Sequence, residues 1–333
     1  MQETSTTALL LSLLVLGGTG VQAAELPLSQ RSLLLDDSRL PREAALDRMQ
    51  QIRFAFRERP APVGQLRGWA RGYGGYGSWD GSSDLPRLER RSAALMVGVD
   101  RPLTGMWMAG ALAGVSRSEL QADEGGDSDV DSYHLAAYAT TRYYQLGFKL
   151  GAAYSWHELD SQRRSAGQRL RGDSQAASTQ LFGEASYPLD FRGFTLEPFA
   201  GLAYVHLDAD SLRETGGADA LQLSGEQQDG AYLTLGWRLA SAWQVRERRL
   251  VGRASLAARH GFLDDRATAQ AWQPVTGQGF ELSGREFERD QLRLDLSLDY
   301  QLSEQLYLGL TYAGQYADDA RDNQLGARFS LQF

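Results

Sequence analysis

Cysteine is absent from the 333 residues, which removes disulfides, thiolate metal sites and cysteine nucleophiles together. Lysine occurs once, at Lys149, and asparagine once, at Asn323. Proline is scarce at 9, and the longest apolar run, residues 8–15, is interrupted by Ser12. A helical membrane span needs about 20 mostly apolar residues, so a polytopic helical membrane protein is excluded. Positive charge is also short. The formal net charge of −8 argues against a general nucleic-acid binder, which needs a basic face. What the chain does hold is Tyr 14, Phe 12, Trp 7 and Gly 36, at a mean hydropathy of −0.39. That many large apolar side chains is incompatible with wholesale disorder. The glycines alternate with aromatics instead of forming low-complexity tracts, which points to an all-β protein.

Residues 8–16 have the length of a signal-peptide apolar core, and Val21-Gln22-Ala23 offers small residues for cleavage after Ala23. The flank before them carries Glu3 and no base before Arg31. Residues 1–23 therefore read either as a signal peptide or as the remnant of a larger exported segment. Both imply export. Residues 24–62 read as a short linker and one helix over about 41–59. Leu46, Met49, Ile52 and Phe56 recur at helical spacing until Pro60 and Pro62 end the pattern. Ser38 or Asp37 is the candidate cap, and Pro41 suits a first turn, where its missing N–H costs nothing. The opposite face carries Arg42, Arg48, Arg53, Arg57 and Arg59 against Glu43, Asp47 and Glu58.

From Leu66 onward the period switches from 3.6 to 2. Leu292, Leu294, Leu296, Leu298 and Tyr300 alternate with Arg293, Asp295, Ser297 and Asp299. Leu146, Phe148, Leu150, Tyr154 and Trp156 alternate with Gly147, Lys149, Gly151, Ser155 and His157. Such segments run about ten residues, the length of a tilted transmembrane strand. Aromatics sit at the ends of the apolar stripes (Trp156, Tyr300, Tyr312), while the other face holds Gly, Ser, Thr and full charges. A lipid-facing coat and a wet lumen require that division. Strands are expected near 66–77, 89–101, 106–121, 129–142, 144–160, 177–188, 193–207, 230–243, 249–261, 290–302, 305–317 and 322–333. Short links at one end alternate with polar stretches at 119–129, 159–176, 208–230 and 262–288; residues 280–287 read as a ribbon within the last.

In hydrocarbon every backbone N–H and C=O must be paired, so the strands must close. A barrel of about twelve is wider than its own side chains fill, and the amphipathic helix just before the first strand is the available plug. Its arginines Arg48, Arg53 and Arg57 are expected to meet a charged lumen face, with Glu184, Glu197, Arg238, Arg253, Asp295 and Asp299 as candidates. Residues 1–62 carry seven acids and seven bases, so the net charge lies on residues 63–333, the expected barrel.

The motifs Gly68-Trp69-Ala70-Arg71-Gly72-Tyr73-Gly74, Val130-Asp131-Ser132-Tyr133-His134-Leu135, Gly151-Ala152-Ala153-Tyr154-Ser155-Trp156-His157 and Leu196-Glu197-Pro198-Phe199-Ala200-Gly201-Leu202-Ala203-Tyr204 lead to a chain ending in Phe329, Leu331 and Phe333. Together they resemble the C-terminal translocator domain of a type Va autotransporter, over about residues 40–333. The resemblance implies a twelve-stranded antiparallel barrel in the outer membrane of a Gram-negative bacterium, with an α-helix threading the pore. It implies export of an N-terminal passenger through or alongside the barrel, and no enzymatic activity, metal or cofactor. The implied partners are outer-membrane lipid and lipopolysaccharide, periplasmic chaperones and the barrel assembly machinery, which reads the C-terminal Phe329, Leu331 and Phe333; a monomer is expected. Between Ala23 and Pro41 there is almost no room for a passenger, so it is either vestigial or encoded upstream of a truncated chain. Some members release the passenger at paired asparagines in the pore; Asn323 lies in the last strand, so that chemistry has no substrate here.

Other motifs have blander readings. Gly72-Tyr73-Gly74-Gly75-Tyr76-Gly77 matches G-x-G-x-x-G, but no helix pattern follows, as a dinucleotide turn requires. Gly126-Asp127-Ser128 and Gly172-Asp173-Ser174 echo an esterase nucleophile block without the apolar strand it needs. His134, His157, His206 and His260 lie on four strands without helical metal spacing. Asp123, Glu124, Asp127, Asp129 and Asp131 read as solvated loop charge ahead of a Ca²⁺ site. A porin-like channel or a barrel-embedded esterase or protease is the alternative; a soluble β-sandwich is a third reading.

Overall fold

The computed structural model describes residues 25–55, 64–81, 86–103, 106–123, 126–263 and 266–332. Twelve strands close into one barrel: β1 (Arg67–Trp79), β2 (Leu88–Pro102), β3 (Trp107–Ala122), β4 (Gly126–Tyr143), β5 (Leu146–Ser165), β6 (Gln168–Ser186), β7 (Phe194–Ala209), β8 (Glu226–Val245), β9 (Arg248–Gly261), β10 (Asp290–Gln301), β11 (Leu306–Tyr316) and β12 (Ala320–Gln332). Each pairs antiparallel with the next. The ring closes where β1 meets β12 in a register running from Arg67 opposite Gln332 to Trp79 opposite Ala320. Closure leaves no strand edge unpaired, the condition a lipid-embedded sheet must meet.

Alternation sets which side of the wall is apolar. Along β5, Leu150 is 54% exposed and Trp156 45%, while their neighbours Lys149 and His157, on the other face, are each 2% exposed. Along β10, Leu292, Leu296 and Leu298 are exposed while Asp299 is buried. The greasy coat faces outward and the charges face inward, the reverse of a soluble barrel. Strands β5 and β8 are 20 residues long, roughly twice what a tilted span of about 9–11 residues requires, so the wall continues beyond the bilayer at the long-loop end. Short ribbons Leu212–Thr215, Gln222–Leu223, Thr268–Gln273 and Gln278–Ser283 extend the sheet there; the three-residue strand Leu189–Phe191 belongs to the opposite, short-turn end.

Two helical segments, α1 (Leu26–Asp37) and α2 (Arg39–Ala55), lie inside this wall. The apolar side of α2 (Leu40, Ala44, Ala45, Met49) packs on Trp69, Tyr73, Met96, Met108, Tyr138 and Phe182, which come from β1 to β6. The helix is therefore pressed against one half of the barrel.

Three readings need correction. The stretch ahead of Pro41, read as linker, is helical from Leu26. Its leucines are buried on every face, Leu28 against the ribbons, Leu34 and Leu35 against β4 to β8, Leu26 and Leu33 against Trp79, Leu88 and Phe287. All-round burial leaves no apolar stripe for a period to reveal. Ser38 does not cap a helix start: its hydroxyl donates to the Leu35 carbonyl at 2.7 Å and its N–H to that of Leu34, so it closes α1 where α2 begins. Residues 159–176 are not a loop but the continuation of the β5–β6 hairpin, which turns at Ala166 and Gly167, both with positive φ (46° and 79°). The helix end at 56–59, Arg57, residues 1–23 and Phe333 lie outside the described residues, as does the side chain of Arg53.

Candidate functional site: the plugged lumen

The polar face of α2 meets charged groups around the whole wall. Arg48 Nε donates to Asp100 Oδ2 on β2 at 2.6 Å, with both side chains essentially inaccessible; its Nη1 donates to Gln51 Oε1 at 2.8 Å. Arg39 Nη2 donates to Asp322 Oδ2 on β12 at 2.5 Å, and Arg90 on β2 binds the same oxygen. Glu43 pairs with Arg293 on β10. Asp47 receives Arg71 at 3.5 Å, Arg253 at 3.3 Å, and Arg328. Gln50 Nε2 donates to Glu197 Oε1 at 3.2 Å, and Gln51 Nε2 to Asp299 Oδ1 at 3.3 Å. A buried charge is tolerated only when paired and hydrogen-bonded; here the partners come from six strands, β1, β2, β7, β9, β10 and β12, so the contacts fix both the depth and the rotation of the helix.

The wall residues singled out from sequence fall into two linked groups. Glu184 accepts from Arg238 Nη1 at 2.6 Å and from Lys149 Nζ at 2.8 Å, and Arg238 also reaches Glu197 at 3.6 Å while lying 3.6 Å over the Phe199 ring. Asp299 receives Arg328 and, at 3.3 Å, Arg253, whose Nε donates to Ser297 at 3.1 Å. Asp295 is paired with Arg293 at 2.8 Å on its own strand and reaches the helix only through it. The sequence reading missed Lys149, Arg293, Arg328, Asp100 and Asp322. A signal existed for Lys149, Arg293, Arg328 and Asp100, each of which alternates with an outward apolar residue, as Arg328 does with Phe329; Asp322, between Arg321 and Asn323, carried none. The acids of the helix, Glu43 and Asp47, were not among the expected contacts; among the described residues they make four ion pairs with the wall, against two made by Arg39 and Arg48.

The outer end of the lumen is closed by α1. Arg31 donates to the carbonyls of Asp210 (2.6 Å) and Ser224 (3.0 Å), and Gln30 to that of Asp129 (3.0 Å). Ser32 and Ser29 accept from the backbone N–H groups of Ala267 and Arg285, each at 2.9 Å. Gly284 lies so close to the α1 backbone that a Cβ there would stand 2.5 Å from the Leu28 carbonyl carbon.

The remaining motifs are structural. The glycine run 72–77 lies along β1. Asp129 and Asp131 face Arg117 at 3.6 and 3.4 Å. His206 and His260 sit exposed beside Asp229 and Asp290. His134 and His157 are not isolated from one another. They stand 6.3 Å apart on neighbouring strands in a ladder with Ser116, Ser132, Ser155 and Ser178. Asn323 accepts from Tyr312 and Tyr316 at 2.7 and 3.0 Å. Phe329 on β12 is exposed on the outer face.

Known proteins match this arrangement. The translocator domain of autotransporter NalP from Neisseria meningitidis superposes with a TM-score of 0.67 at 17% identity, covering 91% of this chain and 99% of that one. The transport unit of AIDA-I from Escherichia coli gives 0.60 at 13% identity, covering 88% and 98%. The β-domain of the Bordetella autotransporter BrkA gives 0.59 at 16%, covering 81% and 100%. An extracellular serine protease of Serratia marcescens is 27% identical over 306 residues; the match covers 91% of this chain and 29% of that protein. The chain thus spans under a third of the length of the curated relatives it matches. Residues 68–313 match the autotransporter β-domain family, and the chain belongs to that family, the outer-membrane translocators of Gram-negative bacteria.

Proposed function

We propose that this barrel holds its N-terminal helix as a tether and stopper, leaving a passenger outside the cell while the outer membrane stays sealed. The observation that carries this is α2 inside a closed barrel, tied to opposite walls by Arg48–Asp100 on β2 and by Asp47–Arg253 on β9, with Arg328 of β12 also on Asp47, and with α1 closing the long-loop mouth. The chain enters α1 at the end that family topology places outside the cell, so whatever precedes Glu25 emerges there. The helix polarity and the sealed mouth support export through or alongside the barrel, with the helix as what is left in the pore. The chemistry asked of the chain is positioning, and no turnover is assigned to it; proteolysis is a property of the named Serratia relatives.

The partners follow the same logic. Exposed Leu, Trp and Tyr side chains fit an outer-membrane lipid and lipopolysaccharide environment as a monomer. An alternating last strand ending in Phe329, Leu331 and Phe333 fits recognition by the barrel assembly machinery after escort by periplasmic chaperones. An epitope inserted between Ala24 and Glu25 tests the reading. It is expected to be cleaved by protease added to intact cells; an epitope protected in intact cells and cleaved only after the outer membrane is opened would overturn it.

A further inference from the structure

Pressing α2 against β1 to β6 leaves a cavity of about 120 Å³ on its other side, between the helix and β7 to β11. One water needs only about 10–15 Å³ of such space, so the cavity has room for a small polyatomic ion. Arg42 aside, its charges balance, but they are unevenly shared. Arg238 and Arg293 have carboxylate partners of their own in Glu184, Glu43 and Asp295. Arg71 and Arg253 share Asp47 with Arg328, and Arg253 and Arg328 also share Asp299. Three guanidiniums thus meet two carboxylates.

Arg42 is the sharper case. It is 7% exposed, lines the cavity, and its one hydrogen bond is to the Gln180 amide oxygen at 2.9 Å. No carboxylate lies within ion-pair distance of it among the described residues. Its neighbour Arg259, itself paired with Asp36 at 2.6 Å, stands over the same Tyr232 ring, at 4.6 Å from the centroid against 5.9 Å for Arg42, so two guanidiniums converge on one face of the cavity with one carboxylate between them. Arg253 Nη1 and Arg259 Nε are buried nitrogens with no hydrogen-bond acceptor among the described residues. A buried cation without a counter-charge is costly, and spare guanidinium N–H groups around a cavity are the donor set that binds tetrahedral oxyanions, two N–H groups to two oxygens.

We propose that this cavity is a binding site for a small oxyanion of the phosphate or sulfate class, held between Arg42 of the helix and Arg253 of the wall, with Arg259 at its rim. The proposal rests on the reading of α2 as a plug, because Arg42 is the helix's contribution to the site. Bound there, the anion adds a second link between helix and barrel beside the direct ion pairs.

The test is calorimetric titration of the refolded full chain in uncharged detergent with inorganic phosphate, in a buffer otherwise poor in anions. One saturable site per chain is expected. Arg42→Gln and Arg253→Gln are each expected to weaken it at least tenfold while keeping heat-modifiable gel migration, and Arg117→Gln on the exposed rim is expected to leave it unchanged. Should Arg42→Gln fail to fold, Arg42→Lys keeps the charge and is expected to bind more weakly than the parent, since an ammonium lacks the paired donors. Absence of saturable binding, or binding indifferent to both glutamine variants, would overturn the site while leaving the plug intact. Binding lost with Arg253→Gln but untouched by Arg42→Gln would overturn the site as drawn, since the helix would then contribute nothing to it, and would likewise leave the plug intact.

Discussion

At the scale of single residues, the plugged barrel depends on charges held out of water. Arg48 and Asp100 are side chains of 1% and 0% exposure joined at 2.6 Å. Removing one partner leaves the other buried and uncompensated, so Arg48→Ala or Asp100→Ala is expected to cost about 3–5 kcal/mol. The double variant is expected to cost clearly less than the sum of the two, as reversible urea unfolding in lipid vesicles would measure; additive losses would mean that the pair is not coupled. Gly284 makes the second residue-scale case. A Cβ there would meet the backbone of Leu28 and Ser29 at 2.5 and 2.6 Å, and backbone cannot rotate away. Gly284→Ala is expected to loosen α1 and to make the segment before Ser38 cleavable by protease in intact cells, without loss of the barrel itself.

The inward residues were readable in kind but not in partnership. Alternation places Glu184, Asp299 and Arg253 on one face of their strands, because a side chain every second residue shares a face. Which cation meets which anion depends on register between strands and on the rotation of the helix, and neither is written in a single strand. Lys149 illustrates the gap. It lies in a stripe plainly visible in the sequence, yet its contact with Gln50 and Glu184 needs three elements to be brought together.

At the scale of elements, strands were legible and α1 was not. The coat faces lipid and the lumen face is polar, so the period of two survives in the barrel portion of every strand. It fades above the bilayer, where both faces meet water or a lid, and for that reason the upper part of the β5–β6 hairpin read as loop. For α1 the cause is the opposite, since burial on all sides removes contrast. Turns carry their own prediction. The β8–β9 link places Arg246 and Glu247 at φ of 50° and 64°, the pair of positive values that a two-residue hairpin turn demands and that Asn-Gly adopts without strain. Replacing Arg246-Glu247 by Asn-Gly is expected to stabilise the barrel by about 1 kcal/mol, seen as slower unfolding in urea. Unchanged or faster unfolding would show that the turn is not strained.

At the scale of the whole molecule, twelve strands make a ring too wide for its own side chains, and the chain supplies the filling from its N-terminal end. The division of labour inside follows from the helix having two faces. Its leucine, alanine and methionine face seats it on β1 to β6, and its charged residues reach across to β7, β9, β10 and β12 as well as to Arg71 on β1 and Asp100 on β2. The charge balance of residues 1–62 was a sequence-level hint of this, since a rod that crosses a charged bore without net charge can be paired on all sides. Its eccentric seat was not visible, because it depends on aromatic side chains such as Trp69, Tyr138 and Phe182 gathering on one arc of the wall.

Single-channel recording in planar bilayers tests the central claim most directly. The full chain is expected to show low, rare conductance, and a variant lacking residues 25–55, checked for intact barrel by heat-modifiable migration, is expected to show stable openings of much larger conductance. Equal conductance from the two proteins would contradict a helix that fills the bore.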